Sequence, residues 1–298
     1  DVYKRQILDH SSSEISTEDA AVLMETLMQE MRRGGYEFYT GTSYRHLLIH
    51  KFGSVVELTA PHDILTKRIG EYLPQDAVLR EMMETSYRIL SNHPLNLERK
   101  AKGLNPANSV WFWGAGTRPM LTSFEEKYHK KGAMISAVDL LKGIAVGAGL
   151  DNIIVEGANG GLHTNYTGKA EAAVDALAAQ DYDFVYVHIE APDEMGHQGS
   201  IPDKIKAIEN IDQKIIGPIV GELEDLCMDF RTLVLPDHPT PICVRTHTGN
   251  PVPYLLYDSR KKAEGMPEYS ERLGNKSPLF EKEGHRLLSR LFEMDNER

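Results

Sequence analysis

Cysteine is nearly missing: the 298 residues hold only Cys227 and Cys243. Two thiols make neither a disulfide framework nor a metal motif, so a reducing, cytoplasmic compartment is expected. No apolar run approaches the roughly 18 residues of a membrane-spanning helix, and the start shows no signal-peptide pattern. Positive charge is also in deficit. Lys and Arg total 33 against 44 Asp and Glu, a net charge of −11. A general nucleic-acid binder needs a basic footprint, which this balance lacks. An anionic small substrate stays compatible, because local basic groups or metal ions can reverse the field inside a cleft. Internal repeats and low-complexity segments are missing too. The chain opens on Asp1 rather than Met, and "DVYKRQ" has no pattern connecting it to the residues after it. These six residues are read as a sequencing or cloning artefact, and the remainder as the C-terminal portion of a longer protein.

What is present is a globular composition, 41% hydrophobic and 26% charged, long enough for about two domains. "ISTEDAAVLMETLMQEMRRGG" carries helical apolar spacing, a capping-box-like Ser16 with Asp19, and Gly34-Gly35 as a stop. "YEFYTGTSYRHLLIHKFG" and "SVVELTA" read as strands, residues 75–93 as a helix, and "SVWFWGAGTRP" as a strand with a Gly-rich turn. From about residue 131 strand and helix alternate: "GAMIS", "AVDLLKGIAVGAG", "NIIVEG", "GKAEAAVDALAAQ", "DFVYVHIE", then a long helix to Cys227. "RTLVLPD" and "PVPYLLYD" supply further strands, and "SRLFEMDNER" an amphipathic terminal helix. This alternation predicts an α/β fold, a mostly parallel sheet with helices on both faces. The first part reads as a smaller α+β unit. The expected division is 1–120 for that unit and 121–298 for the sheet domain.

In parallel α/β sheets ligands bind beyond the carboxyl ends of strands. Three polar clusters sit there. Asp193 and His197 follow the strand ending near 190, Asp237 and His238 follow the one ending near 236, and His247 precedes the last strand. Asp193 and His197 are four residues apart, so one helical turn puts both on one face. Asp237 and His238, adjacent, are expected to point in different directions, one to an ion and one to a neighbouring site. Each residue alone could be a cap or a solvated side chain. Together, two carboxylates and three imidazoles suit Mn²⁺ or Zn²⁺. Mixed Asp and His ligation is also what paired-metal phosphoryl-transfer sites use, with cations about 3.5–4 Å apart.

"APDEMGH", "LPDHPTP" and "RTHT" resemble the metal-binding motifs of the alkaline phosphatase superfamily. The wider run from "KGAMISAVDLLKGIAVGAGL" through "GLHTNYTGKAEAA" to "PVPYLLYD", with "STEDA" and "TSYRHLLI" earlier, resembles the archaeal-type, cofactor-independent phosphoglycerate mutases over residues 7–258. The resemblance implies an alkaline phosphatase-like core with a cap domain in 1–120. It implies two divalent cations, Mn²⁺ first, with Zn²⁺, Co²⁺ or Mg²⁺ as alternatives, and no 2,3-bisphosphoglycerate. Asp193, His197 and His247 would hold one ion and Asp237 and His238 the other. The implied reaction interconverts 3- and 2-phosphoglycerate through a phosphoserine, with the small phosphoglycerate as partner. The family's segment with one more ligating Asp and the nucleophilic Ser has no counterpart here. Ser11, Ser12, Ser13, Ser43 and Ser136 are available hydroxyls, none in a matching context, so little turnover is expected from this chain itself. Another phosphomonoesterase or phosphotransferase of the superfamily, or a catalytically silent metal-binding protein, remains an alternative.

Carboxylate and phosphate recognition favours the bidentate fork of Arg. Arg45 and His46 in "SYRHL" are the first candidates for substrate contacts, Arg118 after the "GAGT" turn and Lys142 after "GAMIS" the next. His62 and Asp63 are weaker. Arg45 could equally lie on a solvated strand face, Lys142 on an open surface, and Arg245 serve as a loop ion-pair partner. Trp111 and Trp113, alternating on a strand around Phe112, read as core or interface residues.

Overall fold

The computed structural model describes residues 5–261 and 265–293. It divides into two compact units, Asp1–Pro119 and Met120–Arg298.

In the first unit, α1 (Thr17–Glu30) starts where the Ser16 hydroxyl accepts from the Asp19 N–H. Only half of the expected capping box forms, because the Asp19 carboxylate takes the nearly buried Arg99 guanidinium at 2.9 Å instead. Ala20, Leu23, Met24 and Leu27 recur at helical spacing and are buried. They meet Met82 and Leu90 of α2 (Ala77–Leu90) in one apolar core, against which Phe112 also packs. Each buried Leu there contributes about 1.5–3 kcal/mol. β1 (Tyr36–Tyr39) and β2 (Leu47–His50) form an antiparallel hairpin, so Arg45 and His46 lie in its connection rather than on a strand face. After α2 comes α3 (Pro94–Ala101), with Pro at its start and His93 as N-cap. The segments 54–60 and 109–113 are not strands. Neither has a hydrogen-bonded ladder partner; Trp111 is half-buried, its indole N–H donating to the Thr59 carbonyl at 2.8 Å, and Trp113 is 51% exposed rather than core. Of the opening six residues, Arg5 and Gln6 are described and both are tied in. The Arg5 guanidinium sits 3.6 Å over the Tyr87 ring, and Gln6 bridges Arg68.

The second unit begins with the short α4 (Phe124–Tyr128) and β3 (Gly132–Ile135), whose four residues are all buried. Next come α5 (Asp139–Gly147), β4 (Asp151–Asn152), α6 (Tyr166–Ala179) and β5 (Phe184–Val187). The sheet is parallel in the order β4-β3-β5. The fold class is therefore α/β. β4 is shorter than "NIIVEG" suggested, since only its first residues reach β3. α7 (Ala191–Gln198) and α8 (Ile201–Ile211) follow, and one π-helical turn over Asp212–Ile216 joins α8 to α9 (Gly217–Asp225). β6 (Arg231–Val234) and β7 (Leu255–Asp258) pair antiparallel as a separate ribbon. The chain closes with α10 (Glu271–Gly274) and α11 (Arg286–Glu293). Buried Asp258 anchors this end, receiving Arg231 at 3.0 Å and Arg260 at 3.0 Å, while Arg231 also donates to the Leu291 carbonyl. Hydrogen bonding from Arg260, then from Arg231, holds the Asp258 carboxyl well below its ordinary range despite burial.

Candidate metal centre

Two short segments at the carboxyl-end side of β5 and β6 carry the candidate ligands. Pro192 in the first turn of α7 pre-sets the helical φ, and Gly199 ends the helix at φ +73°. The positive φ favours glycine there, and a side chain would also have to displace the Arg245 guanidinium, 2.5 Å from where a Cβ would stand. Ala191 and Met195 bury against Tyr166, Ala207 and Ile215, which leaves Asp193 and His197 on the opposite, accessible face.

There the side chains of three segments converge. His197 Nε2 lies 3.2 Å from Asp193 Oδ2 and 3.2 Å from His247 Nε2. His247 Nε2 lies 3.4 Å from the other Asp193 oxygen, and its ring centroid 3.8 Å from that of His238. One donor atom each from Asp193, His238 and His247 falls within a 4.8 Å group. Asp237 sits at the rim, 68% exposed, with Oδ2 3.3 Å from His238 Nε2. The two neighbours thus turn toward each other rather than apart, because residues 237–238 form a bend and not an extended strand.

The tautomers follow from the partners. His197 Nδ1 is 3.0 Å from the Arg245 carbonyl, which can only accept, so Nδ1 carries a proton and Nε2 is the atom turned to Asp193 and His247. Arg245 therefore acts through its backbone, held at φ +59°, rather than as an ion-pair partner. Burial, then the neighbouring His238, push the His247 pKa down, favouring its neutral imidazole. Lone pairs and a carboxylate facing one another repel unless a cation lies among them. The nitrogen and oxygen donor set fits a divalent ion of Mn²⁺ or Zn²⁺ type.

The other candidates lie elsewhere. In the first unit Arg45 donates to the Tyr44 hydroxyl at 2.9 Å, and burial pushes the His46 pKa down. His10, which sequence reading passed over, meets Tyr44 edge-on at 5.5 Å and His62 at 6.1 Å; His62 in turn meets Trp113 at 5.3 Å. Arg118 is exposed in an irregular segment. In the second unit Lys142 pairs with Asp139 on α5 at 3.3 Å. The serines have structural partners: Ser11 bonds Asp9, Ser13 receives the Asn105 N–H, and Ser43 donates to the Ile15 carbonyl. Ser12 accepts Arg99 through its carbonyl. Ser136 is buried at the end of β3, 3.2 Å from His188 Nδ1.

Sequence reading also missed Lys169, Lys204 and Thr240. Lys169 is 1% exposed on α6 and donates to the His188 carbonyl at 3.1 Å, beside Glu190. It holds the turn from β5 into α7. A side chain at Gly160 would run into the Glu190 carboxylate, so the 157–165 loop packs closely around this pair. Desolvation lowers the Lys169 pKa to about 8, with Glu190 opposing. The folded chain thus binds fewer protons than the unfolded one between about pH 8 and the ordinary Lys value, so stability rises with pH across that window. Chemical-denaturation midpoints from pH 7 to 10 should show this rise relative to Lys169→Met. Parallel pH profiles for the two proteins would refute the assignment.

Asp and His donors gathered beyond the carboxyl end of a parallel-sheet strand, β5, and of the neighbouring-in-sequence β6 ribbon are the build of a metal-dependent α/β enzyme. A family model for the Metalloenzyme superfamily matches residues 11–287. The 2,3-bisphosphoglycerate-independent phosphoglycerate mutase of Methanosarcina barkeri is 48% identical over 279 residues, covering 91% of this chain and 70% of the relative. That of Methanosarcina mazei is 49% identical over 278 residues, covering 90% and 70%. A solved structure of a Pyrococcus horikoshii protein superposes with TM-score 0.74 at 28% identity, covering 98% of this chain and 73% of that one. The chain belongs to the 2,3-bisphosphoglycerate-independent phosphoglycerate mutases of the Metalloenzyme superfamily.

Proposed function

We propose that this chain serves the interconversion of 3- and 2-phosphoglycerate and binds two divalent cations, Mn²⁺ by preference. Asp193, His197 and His247 hold one, and Asp237 and His238 the other. The observation that carries the reading is the convergence of His197 Nε2, His247 Nε2 and both Asp193 oxygens, with contacts of 3.2–3.4 Å between them. When bound, such ions offset the negative charge of a phosphoryl group in transfer. The chain's own groups do the orienting. The Arg245 carbonyl fixes His197, and the α7 frame fixes Asp193. In the first unit, Arg45 offers a fork for the glycerate carboxylate or the phosphate, with His46 and His10 as neutral or cationic neighbours. No helix among the described residues is long and apolar enough to cross a membrane.

None of Ser11, Ser12, Ser13, Ser43 or Ser136 is offered as the phosphoryl acceptor: the hydroxyls of Ser11, Ser13, Ser43 and Ser136 have structural partners, and Ser12 lies in the first unit, held by its carbonyl to Arg99. We therefore expect the 298-residue chain to bind Mn²⁺ while turning over 3-phosphoglycerate poorly. Metal analysis after dialysis, beside an enolase-coupled mutase assay, checks both. Absence of bound Mn²⁺ at micromolar free ion would overturn the metal reading. Robust turnover would place a nucleophile within this chain. The substrate class is checked by thermal shift. 3-Phosphoglycerate should raise the melting temperature of the Mn²⁺-loaded chain and lose that effect in Arg45→Ala, whereas equal effects from unrelated phosphate esters would favour a general phosphomonoesterase of the superfamily.

A further inference from the structure

We propose that Thr240 is a positioning residue that couples the two halves of the donor set. It fixes the imidazole tautomer of His238 and the rotation of the Asp193 carboxylate at once. This rests on the metal reading above.

Thr240 is 4% exposed in the loop after β6, and its hydroxyl touches ligands from two separate segments. Thr240 Oγ1 donates to Asp193 Oδ1 in a short hydrogen bond. It also lies 3.3 Å from His238 Nδ1. A hydroxyl has one proton, and an ionised carboxylate can only accept. The proton therefore belongs to the bond with Asp193, and the hydroxyl can only accept from His238. His238 must then carry a proton on Nδ1, while Nε2 faces the Asp237 carboxylate at 3.3 Å and would turn its lone pair to a cation bound between them. Hydrogen bonds that set ligand tautomer and orientation in this way govern metal affinity.

The placement of Thr240 is itself built. Lys204 on α8 donates to the Thr240 carbonyl at 2.7 Å, and burial depresses the pKa of that lysine. Gly196 on α7 has no side chain, which lets the Thr240 carbonyl come within 2.6 Å of where a Cβ would stand. The loop after β6 is thus pressed against the helix that carries Asp193 and His197. One hydroxyl reads both segments. The arrangement parallels His197, whose tautomer the Arg245 carbonyl sets, but the Thr240 hydroxyl joins two ligands where that carbonyl meets one.

The test uses Thr240→Val, which keeps the β-branched shape and removes both hydrogen bonds, and Thr240→Ser, which keeps both. Long-range proton–nitrogen spectra of histidine-labelled, metal-free chain report the tautomer of His238 directly. The unmodified chain and Thr240→Ser should show a protonated Nδ1; Thr240→Val should lose that proton in part of the population. Mn²⁺ affinity, read from free-ion electron paramagnetic resonance, should fall roughly 10–100-fold in Thr240→Val and be restored in Thr240→Ser. An unchanged tautomer and affinity in Thr240→Val, with binding lost in Asp193→Ala, would reduce Thr240 to packing and leave the metal reading standing. Unchanged binding in Asp193→Ala would remove the metal reading, while the metal-free tautomer still decides the role of Thr240. An unprotonated His238 Nδ1 in the unmodified chain overturns the proposal even where Thr240→Val does not fold.

Discussion

Asp193→Ala should lower Mn²⁺ affinity on the order of 1000-fold, about 4 kcal/mol, with little change in secondary structure. Asp193 is the one candidate whose two oxygens both face the cluster, at 3.2 Å from His197 and 3.4 Å from His247. It also receives the Thr240 hydroxyl. Its removal takes away the negative charge that balances a cation and frees three neighbours at once. The backbone at 193 is an ordinary helical position in the first turn of α7, where alanine is well tolerated. The metal-free chain should lose about 1–3 kcal/mol, since the buried Thr240 hydroxyl is left without its acceptor. Calorimetric titration of Mn²⁺ into both proteins reads the affinity, and circular dichroism the fold. Loss of affinity under about tenfold would mean that Asp193 is not a ligand.

Gly196→Val should strongly destabilise the second unit. A Cβ there would stand 2.6 Å from the Thr240 carbonyl oxygen, 2.9 Å from the Thr240 methyl and 2.9 Å from Lys204 Nζ. Lys204 can swing aside, but the Thr240 backbone is pinned between α7 and α8. Close-packed interiors do not absorb such an overlap. The cost is about 3 kcal/mol from overpacking, which corresponds to a melting temperature lower by about 10 °C for a unit of this size. Mn²⁺ affinity should fall with it, because the displaced loop carries Asp237, His238 and Thr240. Gly221→Ala is the control: nothing lies within 4 Å of its added Cβ, and alanine favours the α9 helix. Equal melting temperatures for Gly196→Val and Gly221→Ala would show that the close approach does not exist.

Much of the frame was legible because it is local. α1, α2, α5 and α6 follow from apolar spacing and caps, and β3 and β5 from short apolar runs bounded by turns. Asp193 and His197 could be placed on one helical face by their spacing alone. What failed was pairing. "SVVELTA" and "SVWFW" have strand-like residues but no ladder partner, and a strand without a neighbour leaves its backbone groups to loops and water. The antiparallel ribbon of β6 and β7 was likewise invisible, since sequence alternation does not specify which edge a strand joins. Lys169 and Thr240 escaped notice for a related reason. A lysine in "TGKAEAA" or a threonine in "HPTP" has no local mark of burial. Each acquires its role only when α6 meets the β5 end, or when residue 240 meets residue 193. The inward turn of Asp237 toward His238 depended on a bend that alternating strand geometry does not predict.

All five candidate donors come from residues 193–247, inside one of the two compact units. Ion binding at the native state adds its free energy to whatever unit contains the donors, about 2.7 kcal/mol at a hundredfold excess over Kd. Heating the chain with and without Mn²⁺ should consequently raise the endotherm of the unit that holds the donors. Chelation would then reveal which transition belongs to that unit.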